Sequence, residues 1–179
     1  LETHLALTPP TRRVGNCTVG PLTLGGALAL DALGVSLPGR ISGGDVVLAA
    51  WVLSGGRADD RDGFAKWAKR LDASRLKLEE AVNAAVDDAF RCQAKTARPK
   101  DAPLRNAPHG WGWPLELAEF CAEEFGWCVD YALALPVATA YGLMAAWCTR
   151  NRVQLECLDY HERAFVREKK HELNGQMIK

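Results

Sequence analysis

WGWPLELAEFCAEEFGWCVDYALALPVATAYGLMAAWCTR, residues 111–150, is the stretch whose reading decides the fold. It holds four of the six tryptophans and three of the six cysteines. Pro114 stands where proline is welcome, in the first turn of a helix. Leu115, Leu117, Ala118, Phe120, Cys121, Ala122 and Phe125 then recur along the segment, and Glu116, Glu119, Glu123 and Glu124 occupy an outer face. That pattern predicts an amphipathic helix closed by Gly126. A second helix starts at Val129, and Pro136 kinks or restarts it before it runs on to Arg150.

Working outward, the N-terminal half reads the same way. Residues 1–16 contain Pro9-Pro10, Arg12-Arg13 and Gly15-Asn16, and predict a flexible arm. Residues 17–93 form an N-terminal helical half. Thr23 is a suitable N-cap for a helix with Leu24, Ala27, Leu28, Leu30 and Leu33 on one face, ended by Gly34. The Gly25-Gly26 pair lowers helix propensity, which implies close packing there. GDVVLAAWVLSGG is apolar on every side, as befits a helix in the middle of a core, and places Trp51 there. A short helix follows from Asp59 to Leu71, and a longer one from Asp72 or Ser74 with Leu78, Val82, Ala85, Val86 and Ala89 at helical spacing.

Residues 94–112 carry Pro99, Pro103 and Pro108 without periodicity and read as a loop. Residues 113–151 are the Trp-rich helical half. Residues 152–179 read as a charged C-terminal helix and tail, with Leu155, Leu158 and Phe165 as its apolar positions. The expected fold is all-α, a compact domain of about six to seven helices with a Pro-rich loop in the middle and the charged helix at the end.

The totals bound the function. The chain has 179 residues, 22 Lys and Arg against 22 Asp and Glu, and 48% apolar residues. A neutral, apolar chain of this length builds a core without metals or disulfides and is a poor polyanion binder. The charges are segregated, however: residues 61–100 hold ten basic against six acidic residues, and residues 101–148 hold one against six. Such asymmetry means either two solvated faces or an internal contact between them. The basic stretch lacks the interleaved aromatics of a nucleic-acid surface.

No catalytic constellation stands out. His161-Glu162 fails the HExxH pattern because Phe165 replaces the second histidine, and there is no GxSxG or phosphate loop. Asp87-Asp88 and Glu123-Glu124 read as solvated helix faces. Cys17, Cys92, Cys121, Cys128, Cys148 and Cys157 form no CxxC and no metal spacing, so neither a metal nor another cofactor is expected. LETHLALTPPTRR lacks the pattern of a signal peptide. Tyr131–Cys148 runs eighteen residues without a charge, about the minimum for a membrane span, yet Pro136, Thr139 and the two tyrosines favour a buried helix pair.

PLTLGGALALDALG, GDVVLAAWVLSG, GWPLELAEFCAEEFGW and ALALPVATAYGLM together resemble small phage proteins encoded beside tail genes, the tail assembly chaperones. The likeness runs from about Gly20 to Asn151 and does not extend to the Pro-rich segment or the C-terminal helix. It implies a helical, non-enzymatic protein of the host cytoplasm that keeps the tape-measure protein soluble. The family supplies no catalytic residue. It leaves a candidate contact surface around Trp113, Phe125, Trp127 and Pro136, of which the two tryptophans flank one short helix. Its rivals are a structural adaptor retained in the virion, a small protein anchored through residues 131–148 and, last, an enzyme. A neutral chain with exposed apolar surface also tends to associate with itself.

Without paired spacing, and in a reducing compartment, all six cysteines should be thiols. Thiol counting under denaturing, non-reducing conditions should return six; a protected pair would overturn both the redox state and the cytoplasmic assignment.

Overall fold

A computed structural model describes residues 9–91 and 112–152, together with the backbone of 94–96 and 155–157. Its elements are β1 (Arg12–Val14), β2 (Cys17–Val19), α1 (Leu24–Ala32), α2 (Asp45–Leu53), α3 (Arg61–Arg70), α4 (Arg75–Phe90), β3 (Ala94–Thr96), α5 (Trp113–Phe125), α6 (Val129–Ala134), α7 (Val137–Arg150) and β4 (Leu155–Cys157). The fold is all-α, with seven helices among the described residues and two short antiparallel pairs, β1–β2 and β3–β4.

The helix boundaries follow local chemistry. The Thr23 hydroxyl accepts from Gly26 N at 2.9 Å and caps α1, whose Leu24, Ala27 and Leu30 are buried. Asp60 caps α3 through Gly63 N at 2.8 Å. Gly126, left-handed at φ 67°, ends α5. The close packing expected at Gly25-Gly26 is present: a Cβ on Gly25 would lie 3.2 Å from Leu133 O, so α1 approaches α6 backbone to backbone. Asn83 on α4 was not legible as structural. Its carboxamide accepts from Ile41 N at 2.8 Å and donates to Ile41 O at 2.9 Å, fastening the loop before α2.

The core joins both halves of the chain. Val19, Leu22, Leu24, Leu30, Val46, Leu78, Val82, Phe90 and Val137 are buried, and no polar or charged residue is buried among the described ones. Cys17, Cys121 and Cys148 also lie inside, as small apolar groups do. Helix α2 buries Val46, Ala49, Ala50, Val52 and Leu53. Trp51 itself is only half-buried, because α3 covers that side with no fully buried residue of its own. The indole meets Phe64 and Trp67 at 6.1 and 5.5 Å and donates to Arg57 O at 3.0 Å.

Pro136 separates α6 from α7 and is stitched to the start of α1. Leu24 N donates to Leu135 O at 2.9 Å, and Val137 N donates to Leu22 O at 2.8 Å, with Thr23 and Pro136 paired antiparallel between them. The missing proline N–H is harmless here, since the two bonds use the carbonyl of Leu135 and the N–H of Val137 on either side of it. The uncharged run 131–148 is thus two helices rather than one. Among the described residues no helix is long and apolar enough to cross a membrane.

Three expectations need correction. Within the arm expected over 1–16, residues 12–14 form a strand; residues 1–8 lie outside the described residues. The Gly15-Asn16 turn grips the α3–α4 junction, with Asn16 Nδ2 donating to Arg70 O at 2.6 Å and Asp72 N to Asn16 Oδ1 at 2.9 Å. The helix expected from residue 152 opens instead as β4, Leu155 opposite Thr96 and Cys157 opposite Ala94. Val153, Leu155 and Cys157 alternate with Gln154 and Glu156, a period of two that suits a strand. The strand β3 likewise occupies the first residues of the segment 94–112 read as a loop. The remainder, 97–111 and 158–179, lies outside the described residues.

Gly15 and Gly34 separate two effects. Both have positive φ, 58° and 81°, but a Cβ on Gly15 would overlap Asp72 O, whereas one on Gly34 meets nothing within 4 Å. Gly34→Ala should cost the ~1–2 kcal/mol of a left-handed residue. Gly15→Ala should cost clearly more, about 3 kcal/mol, because the clasp must also open. Urea midpoints at unchanged slope measure both; equal losses would mean that the clasp contributes nothing.

Candidate aromatic contact surface

Helix α5 buries Pro114, Leu117, Ala118 and Cys121 and so turns Glu116, Glu119 and Glu123 outward. Phe120 stands at the border of these two faces. From it a line of rings crosses three elements. Trp147 on α7 meets Phe120 edge-on at 5.4 Å, Phe120 meets Phe125 at 6.2 Å, Phe125 meets Trp127 at 5.1 Å, and Trp127 meets Tyr131 on α6 at 5.1 Å. Gly126 makes the line possible, because its left-handed turn folds Trp127 back beside Phe125, with Trp127 N donating to Ala122 O at 3.1 Å.

This ribbon is firmly held yet open. Phe120, Phe125, Trp127 and Trp147 are half-buried, while Tyr131 is 54% exposed and its neighbour Val129 is 44% exposed. Trp147 Nε1 donates to Glu124 Oε2 at 2.6 Å, fixing one end. Edge-on ring pairs contribute ~0.5–1.5 kcal/mol each beyond area burial, so the rings are preorganised before any partner arrives. Glu124 and Asp130 adjoin the ribbon at Trp147 and Tyr131, Glu116, Glu119 and Glu123 are exposed along α5, and residues 112–148 contain no Lys or Arg.

The four expected contact residues do not share one surface. Trp113 lies at the opposite end of α5 from Phe125, about 18 Å along the axis at 1.5 Å per residue. It stacks on Tyr141 at 6.1 Å and meets buried Phe90 edge-on at 5.2 Å. Pro136 is occupied by the joint between α1 and α7. Phe125 and Trp127 do come together. Phe120, Tyr131 and Trp147 are the members that sequence reasoning left out; exposure of Tyr131 inside an uncharged run gives no local signal, and Trp147 joins only through the packing of α7 on α5.

Elsewhere the chemistry is quiet. Among the described residues no group of three or more His, Cys, Asp or Glu is placed to hold a metal. A cavity of about 220 Å³ lies between the loop Pro38–Arg40 and α4, lined by Asn83, Val86, Asp87 and Phe90. The Asn83 carboxamide there is already engaged by Ile41. No protein-family model, curated protein or solved structure matches the chain.

Two cysteines next to the ribbon provide a check on it. Burial pushes the Cys121 thiol up to about 11, whereas Cys128 is exposed in the α5–α6 turn. At pH 8 the Cys121 thiolate fraction is on the order of 0.1%, and its access is closed as well. Alkylation of the native protein should therefore modify Cys128 far faster than Cys121, as peptide mapping would read. Equal rates would mean that α5 does not pack as described.

Proposed function

We propose that this chain is a non-enzymatic factor of phage tail morphogenesis, a tail assembly chaperone whose aromatic ribbon holds a helical segment of the tape-measure protein. One observation carries the reading: five rings form a continuous, partly exposed line on one side of the Trp-rich half, with Glu124 and Asp130 adjoining it. Large aromatic side chains lose little entropy on binding and dominate contact energies. An apolar stripe flanked by Lys or Arg on the client would meet both parts of this face, the rings through packing and cation–π contact and the carboxylates through charge.

The resemblance in the four quoted segments supplies the biological setting. The proposed contact surface keeps Phe125 and Trp127, which lie together in the ribbon, and takes in Phe120, Tyr131 and Trp147 instead of Trp113 and Pro136. On this reading no catalytic group is needed, since holding a client soluble demands only reversible burial of apolar surface.

Co-expression with the tape-measure protein of the same phage should raise the soluble fraction of that client. Trp127→Ala/Tyr131→Ala should abolish the gain while the protein stays folded by circular dichroism. Trp113→Ala should lower the unfolding midpoint and leave the gain in place. A wild-type protein without effect on the client would end the chaperone reading, and a ribbon variant that still solubilises it would move the contact elsewhere.

A further inference from the structure

Between Leu53 and Leu78 no residue is fully buried. The stretch includes α3, which alone of the seven described helices has no fully buried residue. Its apolar side is Phe64 and Trp67, and both rings rest on the half-buried indole of Trp51. Among the described residues, two hydrogen bonds outside its own turns and caps hold residues 57–70. At one end the Trp51 indole donates to Arg57 O at 3.0 Å, and at the other Asn16 Nδ2 donates to Arg70 O at 2.6 Å. The ion pair of this segment, Arg57 with Asp59, is internal to it.

The connections on both sides are suited to turning. Gly55 has φ 86°, and a Cβ there would meet nothing within 4 Å. Gly56 follows it, with the Trp51 ring lying where a side chain would be. Beyond α3 the chain is extended at Leu71, and α4 does not begin until Arg75. Hinges are built from a few such loop positions, which absorb changes of φ and ψ. A helix is stabilised mainly by the apolar face it buries. The element with the least burial is therefore the first to open, below the free energy of global unfolding.

We propose that residues 57–70 are a flap that opens as one unit from the folded protein, turning on Gly55-Gly56 and on residues 71–74. The Trp51 indole and the Asn16 carboxamide are its two latches. Opening takes Phe64 and Trp67 off Trp51 and bares that side of α2. The protein thus holds a second aromatic surface that is closed at rest. The core stays packed meanwhile, because none of its fully buried residues belongs to the flap. The flap shares no residue with the aromatic ribbon, and its opening does not depend on what the ribbon binds.

Native-state hydrogen exchange in urea below the unfolding transition reads this motion. The amides of residues 64–70 and the Trp51 indole N–H should exchange through one common opening, at least about tenfold less protected than the amides of Val82 and Val86 in α4. Their urea dependence should be shared and shallower than that of α4, since the slope scales with the surface exposed. Asn16→Ala should speed exchange of the Trp51 indole about fivefold together with that of α3, although the two latches lie at opposite ends. Leu30→Val, in the core of α1, should speed exchange in α4 and leave α3 unchanged, because it weakens the whole fold and not the flap. Exchange of α3 at the rate and urea slope of α4 would mean that α3 opens only with the whole protein. Amides of α3 out of step with the Trp51 indole, or an indole indifferent to Asn16→Ala, would mean fraying instead of a hinged unit. Each of these results, or an α3 that follows α4 in Leu30→Val, would overturn the proposal.

Discussion

The two hydrogen bonds on either side of Pro136, Leu24 N to Leu135 O and Val137 N to Leu22 O, are the constraint on which the rest of the molecule depends. A proline between two helices frees a carbonyl and an amide that a continuous helix would have used. Left unpaired inside a protein, such groups cost ~1–3 kcal/mol each. The chain meets this by bringing residues 22–24 alongside, in extended conformation, immediately before Thr23 caps α1. One short antiparallel bridge therefore joins the N-terminal half to the Trp-rich half. It also sets where α1 lies, and through Gly25 how near α1 comes to α6.

The candidate surface is a consequence of that arrangement. With α1 pressed on one side of α5 and α6, and α7 on another, the rings of Phe120, Phe125, Trp127, Tyr131 and Trp147 are left at the remaining edge. They pack on one another along the border of the core, with Phe120, Phe125 and Trp127 half-buried against it. Trp113, at the other end of the same helix, is taken up by Phe90 and Tyr141. Two tryptophans that flank one helix thus have different tasks, one in joining α4, α5 and α7, the other in an open ribbon.

Much of the architecture is legible locally. Caps at Thr23 and Asp60, the left-handed stop at Gly126 and the restart at Pro136 all depend on residues within one turn of the boundary they set. Helix α2 reads correctly as a core helix from its composition. The hairpin β1–β2 does not, because its three-residue strands carry no periodic signal and its turn is held by Arg70 and Asp72, far away in sequence. The strand β4 was hidden by a charged segment whose wider spacing suggested a helix. Of the four expected contact residues the fold brings Phe125 and Trp127 side by side and sets Trp113 and Pro136 elsewhere, an arrangement that depends on neighbours distant in sequence.

By itself the amino-acid sequence determined the all-α class, most of the helix limits from Thr23 to Arg150, the segregation of charge along the chain and the absence of net charge, since each depends on nearest neighbours or on composition. Only the tertiary structure decided which aromatic side chains stay open. Burial of a ring is a property of what packs over it: Trp113 and Trp127 are both half-buried, and nothing within four residues of either tells that one meets Phe90 and Tyr141 and the other Phe125 and exposed Tyr131. The same holds for charge. Among the described residues Glu116, Glu119, Glu123, Glu124 and Asp130 stay in solvent because α5 and α6 pack on α1 by their other faces.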